Sequence, residues 1–154
     1  MRKLYFVAGL MALAACGGEK KAEDQQAAPA PAAQQAAPAP AATGATWDVD
    51  MNFDGKAGTF TPAAITIKAG DVVRFHNKTG MPHNVVFAAD SIPAGAAAVL
   101  DAAMADKVAS LTGPMLVEQD AIYTISFAGA PAGVYYYHCL PHVAFKMHGT
   151  ITVQ

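Results

Sequence analysis

From Trp47 onward the chain alternates apolar and polar residues in short runs: Val49, Met51 and Phe53 interleave with Asp48, Asp50 and Asn52, and Ile65 and Ile67 flank Thr66. A period of two sends alternate side chains to opposite faces of a strand, so these runs predict half-buried β-strands. Lys68-Ala69-Gly70-Asp71 predicts a turn before a strand over 72–77, and Asn77-Lys78-Thr79-Gly80 a second break before a strand over 85–87. Runs at 122–127, 134–139 and 149–153 complete the set. Short strands parted by turns predict an all-β Greek-key sandwich. One stretch departs from the pattern. Residues 94–109, rich in Ala with Leu100 and Met104, predict a short helical excursion with Asp90 or Ser91 near its start.

Before Trp47 the alternation is missing. Met1, Arg2 and Lys3 give a positive start, and residues 4–13 form an apolar run too short to span a bilayer but suited to a secretory signal peptide. The run ends in Leu13-Ala14-Ala15-Cys16, which resembles the lipobox of bacterial lipoproteins. That resemblance implies that Cys16 carries lipid and becomes the mature N-terminus, against the plainer reading of an ordinary signal peptide with a cysteine after it by chance. Residues 17–46 repeat Ala, Pro and Gln, with no aromatic or β-branched residue before Thr43. They cannot bury enough apolar surface to offset their ordering entropy and predict a disordered tether. Such a length of chain reaches ~90 Å if polyproline-like, or ~30 Å as a coil. The expected organisation is a signal peptide over 1–15, a lipidated cysteine and tether over 16–46, and a folded domain over 47–154. The expected location is the cell envelope, anchored to the membrane through lipid and facing the periplasm or the cell exterior.

Composition narrows the function. The net charge is −2, and the basic residues form no cluster after Lys21, so nucleic acid is excluded as a partner. From Trp47 on, six Lys or Arg are interspersed with nine Asp or Glu, a mildly acidic surface that names no partner. The two cysteines lie in unrelated contexts, which argues against a disulfide framework.

The chemistry sits in Cys139-Leu140-Pro141-His142-Val143-Ala144-Phe145-Lys146-Met147, with a further candidate upstream in Met81-Pro82-His83-Asn84-Val85-Val86-Phe87. Taken singly, a lone cysteine, a methionine near a strand or one histidine is more often structural than a ligand. Together, thiolate, imidazoles and thioether suit one copper ion cycling between Cu+ and Cu2+, since a trigonal His2Cys set with a weak axial Met serves electron transfer. Strand parity selects among neighbours. If Ile151 and Val153 face the core, Gly149 and Met147 share their face and His148 points outward. By the same count Tyr135, Tyr137 and Cys139 share one face, Tyr136 and His138 take the other, and His83 goes with Val85 and Phe87.

On these segments, residues 47–154 resemble a cupredoxin of the plastocyanin and amicyanin type. The resemblance implies that His83, Cys139 and His142 are equatorial ligands and Met147 the axial one, and that Asn84 ties the two ligand loops together. The Tyr-His-Cys run and Leu111-Thr112-Gly113-Pro114-Met115 are closer to amicyanin, the four-residue gap between His142 and Met147 closer to plastocyanin. His138 stands where plastocyanins carry a tyrosine, and no acidic patch of the plant kind is visible, which leaves a photosynthetic partner open.

The expected function is therefore a monomeric blue-copper shuttle, not an enzyme, passing single electrons between redox proteins. His142 is the expected port, with Met81, Pro82 and Phe145 around it as an apolar docking patch. His138 is either a second route or a solvated strand residue. His76 and His148 are expected to be structural or exposed. The competing reading is a copper storage or delivery lipoprotein with the same ligands, which dispersed methionines do not favour.

Overall fold

The computed structural model describes residues 44–154. The signal peptide, Cys16 and the tether up to residue 43 lie outside the described residues. The elements are β1 (Thr46–Phe53), β2 (Gly58–Thr61), β3 (Ala64–Ile67), β4 (Val72–Asn77), β5 (Val86–Phe87), α1 (Ala96–Ala103), β6 (Ile122–Ser126), β7 (Gly133–His138) and β8 (His148–Val153). Two four-stranded sheets, ordered β2-β1-β4-β6 and β3-β8-β7-β5, pack into a sandwich. Both are mixed, with β1 parallel to β4 and β3 parallel to β8. Only β1–β2 and β7–β8 are hairpins within one sheet, and every other connection crosses between sheets in the Greek-key manner.

Alternation explains the packing. In β4, Val73, Phe75 and Asn77 are buried while Val72, Arg74 and His76 are half-buried; β8 buries Gly149, Ile151 and Val153 and turns His148 outward. The inner faces meet in an aromatic layer in which Tyr137 packs edge-on against Phe60 and Phe75, with ring centroids at 4.7 and 5.4 Å. Edge-to-face geometry suits these quadrupoles.

Two expectations need adjustment. Strand β2 has no counterpart in the sequence reading, because four residues, Gly-Thr-Phe-Thr, give too short a pattern. The helix is Ala96–Ala103, shorter than 94–109, and Asp90 and Ser91 sit in a separate 3₁₀ turn, Ala89–Ser91. Pro93 lies between the two, and Gly95 precedes the helix at φ 80°. Residues 44 and 45 are tied to the turn before β4: the Gly44 N–H donates to Gly70 O at 3.0 Å and the Ala45 N–H to Asp71 Oδ1 at 2.8 Å.

Candidate metal centre

At the end of the sandwich where β4 and β7 finish and β8 begins, three side chains converge. His83 lies in the loop after β4, paired with Leu116 through reciprocal backbone hydrogen bonds of 3.0 and 2.8 Å. Cys139 follows β7, and His142 sits in the 3₁₀ segment Leu140–Phe145, whose last turn closes at Lys146 with φ 58°. Cys139 Sγ lies 3.6 Å from His83 Nδ1 and 3.4 Å from His142 Nδ1. The three donor atoms all fall within 4.8 Å of one another. His83 and Cys139 are 0 % exposed and His142 is 5 % exposed.

Met147 is buried on the same side of β8 as Ile151, as strand parity requires. Gly58 shows how close it comes: a methyl group there would lie 3.0 Å from Met147 Sδ and 3.1 Å from His142 Cβ. The glycine at the start of β2 is thus needed for two candidate ligands to meet. The backbone locks the loop as well, since the Cys139 N–H donates to Met147 O at 3.1 Å and the His142 N–H to Cys139 O at 3.1 Å. Asn84 bridges the two segments, its Oδ1 accepting the Leu140 N–H at 2.8 Å. This contact joins the residue after His83 to the residue after Cys139.

The electrostatics favour neutral imidazoles. Burial, followed by the charge of His142, pushes the His83 pKa down from 6.5 to about 4, and burial lowers that of His142. Burial raises the Cys139 thiol, opposed by the backbone N–H groups of Asn84 and His142. Three buried donor atoms therefore face one another, with burial favouring neutral imidazoles and a protonated thiol before a metal binds. Two imidazole nitrogens, a thiol sulfur and a thioether fit copper better than a hard cation.

The surroundings contain residues that sequence reading assigned elsewhere. Phe53, expected to face the core with Val49 and Met51, instead stacks on His142 with centroids 4.2 Å apart and planes at 25°. The β1–β4 pairing ends at Met51 and Asn77, so Phe53, still paired with Gly58 of β2, extends past the end of β4 and its ring lies against His142. The expected port is thereby almost closed, flanked by Phe53 and Phe145. Met81, Pro82, Leu140, Val143 and Phe145 are exposed. On the outer face His138 stands directly opposite His148 across β7 and β8. Tyr136 stacks on His148 at 5.5 Å, and a 170 Å³ pocket there includes Lys146. His76 is remote from the centre, bonding Asp48 at 2.7 Å beside Arg74.

Residues 47–154 match the family of copper binding proteins described as plastocyanin/azurin. The chain is similar to the chloroplastic plastocyanin of Tetradesmus obliquus, 40 % identical over 107 residues that cover 70 % of this chain and 66 % of that protein, just under two thirds of its length. It is similar also to the plastocyanin of Scenedesmus fuscus, 39 % identical over 69 % of this chain and 97 % of that one. Among solved structures, the oxidised plastocyanin of Dryopteris crassirhizoma matches at 31 % identity and TM-score 0.53, over 70 % of this chain and 99 % of that one.

Proposed function

The chain belongs to the plastocyanin/azurin family of copper-binding proteins, and from that premise we propose that it is a type 1 blue copper protein that carries single electrons between redox partners at a cell envelope. The observation that carries the reading is the buried meeting of Cys139 Sγ with the two Nδ1 atoms of His83 and His142. His83, Cys139, His142 and Met147 would hold the ion, which supplies a one-electron Cu+/Cu2+ couple.

The protein's part is to keep the donors still. The Asn84–Leu140 bond and the Cys139–Met147 backbone bond join the ligand segments, so the donors need little rearrangement between oxidation states. Burial excludes water, and the N–H groups of Asn84 and His142 favour the thiolate that binding requires. Leu140, Val143, Phe145 and Met81 are exposed apolar residues, and with Pro82 they would form a docking surface at the His142 edge. A modest apolar contact suits a brief encounter with a redox protein. Such a protein is a carrier, not an enzyme. Storage or delivery fits less well, because donors exposed by 5 % or less exchange their ion slowly.

The remaining elements of the reading concern the tether. Lipidated Cys16 would anchor the domain to a membrane, as a monomer that swings within the reach of residues 17–46. Metabolic labelling with a radiolabelled fatty acid should mark the chain, and Cys16→Ser should lose the label. Labelling that survives the substitution rules out Cys16 as the attachment site, and a wild-type chain without label removes the anchor.

The metal reading is tested by colour. The full chain with cupric ion should turn intensely blue through thiolate-to-copper charge transfer, and Cys139→Ser should be colourless. A wild-type chain that stays colourless and binds only zinc overturns it.

A further inference from the structure

His83 has two ring nitrogens, and the second also has a partner. While Nδ1 faces Cys139 Sγ at 3.6 Å, Nε2 lies 3.3 Å from Thr79 Oγ1. A neutral imidazole carries one hydrogen, so a lone pair at Nδ1 requires the hydrogen at Nε2. A buried N–H needs an acceptor. His83 is 0 % exposed, and among the described hydrogen bonds the Thr79 hydroxyl is the partner of Nε2 and would accept its hydrogen in that tautomer. Thr79 itself is exposed, so it stands between a buried ring and solvent.

Its position is set from beneath. Asn77, the last residue of β4 and 0 % exposed, accepts the Thr79 N–H at 3.2 Å and the Gly80 N–H at 3.0 Å through Oδ1. Its Nδ2 donates to Met81 O at 2.8 Å and Leu116 O at 3.1 Å. These four bonds shape the loop that carries Thr79 to His83 and pin the loop to the strand partner of His83.

We propose that Thr79 is a positioning residue for the metal centre: its hydroxyl holds His83 in the tautomer that presents Nδ1 to the ligand cluster. The hydroxyl also makes the ring a stronger donor, because an acceptor on the distal N–H increases the basicity of a ligating imidazole. A stronger donor favours the more highly charged copper, so losing the hydroxyl raises the reduction potential. This rests on the reading of His83 as a ligand, but its first test does not.

In the metal-free full chain, long-range proton–nitrogen NMR should show His83 with Nε2–H favoured over Nδ1–H by roughly fivefold, as one hydrogen bond of ordinary strength provides. Thr79→Val, close in shape but without an acceptor, should bring the two tautomers toward parity. Thr79→Ser should restore the wild-type pattern. In the copper-loaded chain, Thr79→Val should raise the potential and Thr79→Ser leave it near wild type. An unchanged tautomer ratio in Thr79→Val overturns the proposal, as does an equal potential shift in Thr79→Ser, which would show that the effect does not depend on the hydroxyl. Failure of the ligand reading looks different: His83→Gln would keep the blue colour while the tautomer result stood.

Discussion

Asp71 and Cys139 are both buried ionisable residues in one sandwich, near opposite ends of its strands, and their surroundings differ. Asp71 follows the turn before β4 and accepts the Ala45 N–H at 2.8 Å, the Trp47 indole at 2.9 Å and the Lys68 N–H at 3.0 Å. The Lys68 N–H first, then the indole, hold its carboxyl below the ordinary range. Both of its carboxylate oxygens accept hydrogen bonds from within the fold. At the other end, Cys139 and two histidines turn their ligand atoms toward one another, and burial makes each of their charged forms less favourable. One cluster closes a structure. The other holds binding capacity in reserve, which an apoprotein keeps only because the surrounding core is stable enough to impose it.

The largest effect that would break this contrast is on stability. Asp71→Ala should destabilise the chain by about 3 kcal/mol, since it orphans several donors at once, while leaving the blue spectrum in place. Cys139→Ser should abolish the spectrum yet change the denaturation midpoint of the metal-free chain by the equivalent of about 1 kcal/mol or less. Similar stability losses in both variants would erase the distinction.

A pH titration of the metal-free chain should separate the two ends next. His83 is depressed from 6.5 to about 4, so across that interval the unfolded chain takes up a proton that the folded chain refuses. Stability is therefore present above about pH 6.5 and lost as pH falls toward 4, by on the order of 3 kcal/mol at most. His83→Gln should flatten that slope. Asp71 acts lower: its contribution is present above the ordinary carboxylate pKa of 3.8 and is lost as pH falls below it. Thermal midpoints at pH 7, 5 and 3 for both variants would show whether the windows are distinct.

The smallest test lies between the two ends. Tyr137 Oη is buried without a hydrogen-bond partner, neither satisfied like Asp71 nor placed among the candidate ligands. Tyr137→Phe should stabilise the chain by about 1 kcal/mol or less, because it removes an uncompensated buried hydroxyl. Chemical denaturation of the paired proteins measures it. A loss of stability would mean that the hydroxyl has a partner in solution.

Much of this was legible in advance, and the legible part has a common cause. Alternation in residues 122–127, 134–139 and 149–153 located β6, β7 and β8 because one face of each is buried. The same parity placed Met147 inward and His148 outward, since a strand admits only two directions. Asn84, inferred from family resemblance, bridges the ligand segments as that resemblance implies. Gly58, Phe53 and Thr79 were not legible as parts of the site. Gly58 matters through the space it leaves for Met147 and His142, Phe53 through a strand end that outruns its neighbour, and Thr79 through a loop folded by Asn77.

The sequence by itself determined the strands, their inward faces and the donor types, because these follow from local periodicity and from the chemistry of single side chains. Tertiary structure alone decided that His83, 56 residues before Cys139, meets it within bonding reach of one ion, that Phe53 covers His142, and that a surface threonine orients a buried ring. Those outcomes depend on how two sheets with mixed pairing are superposed and where each strand stops, and no short window of sequence carries that information.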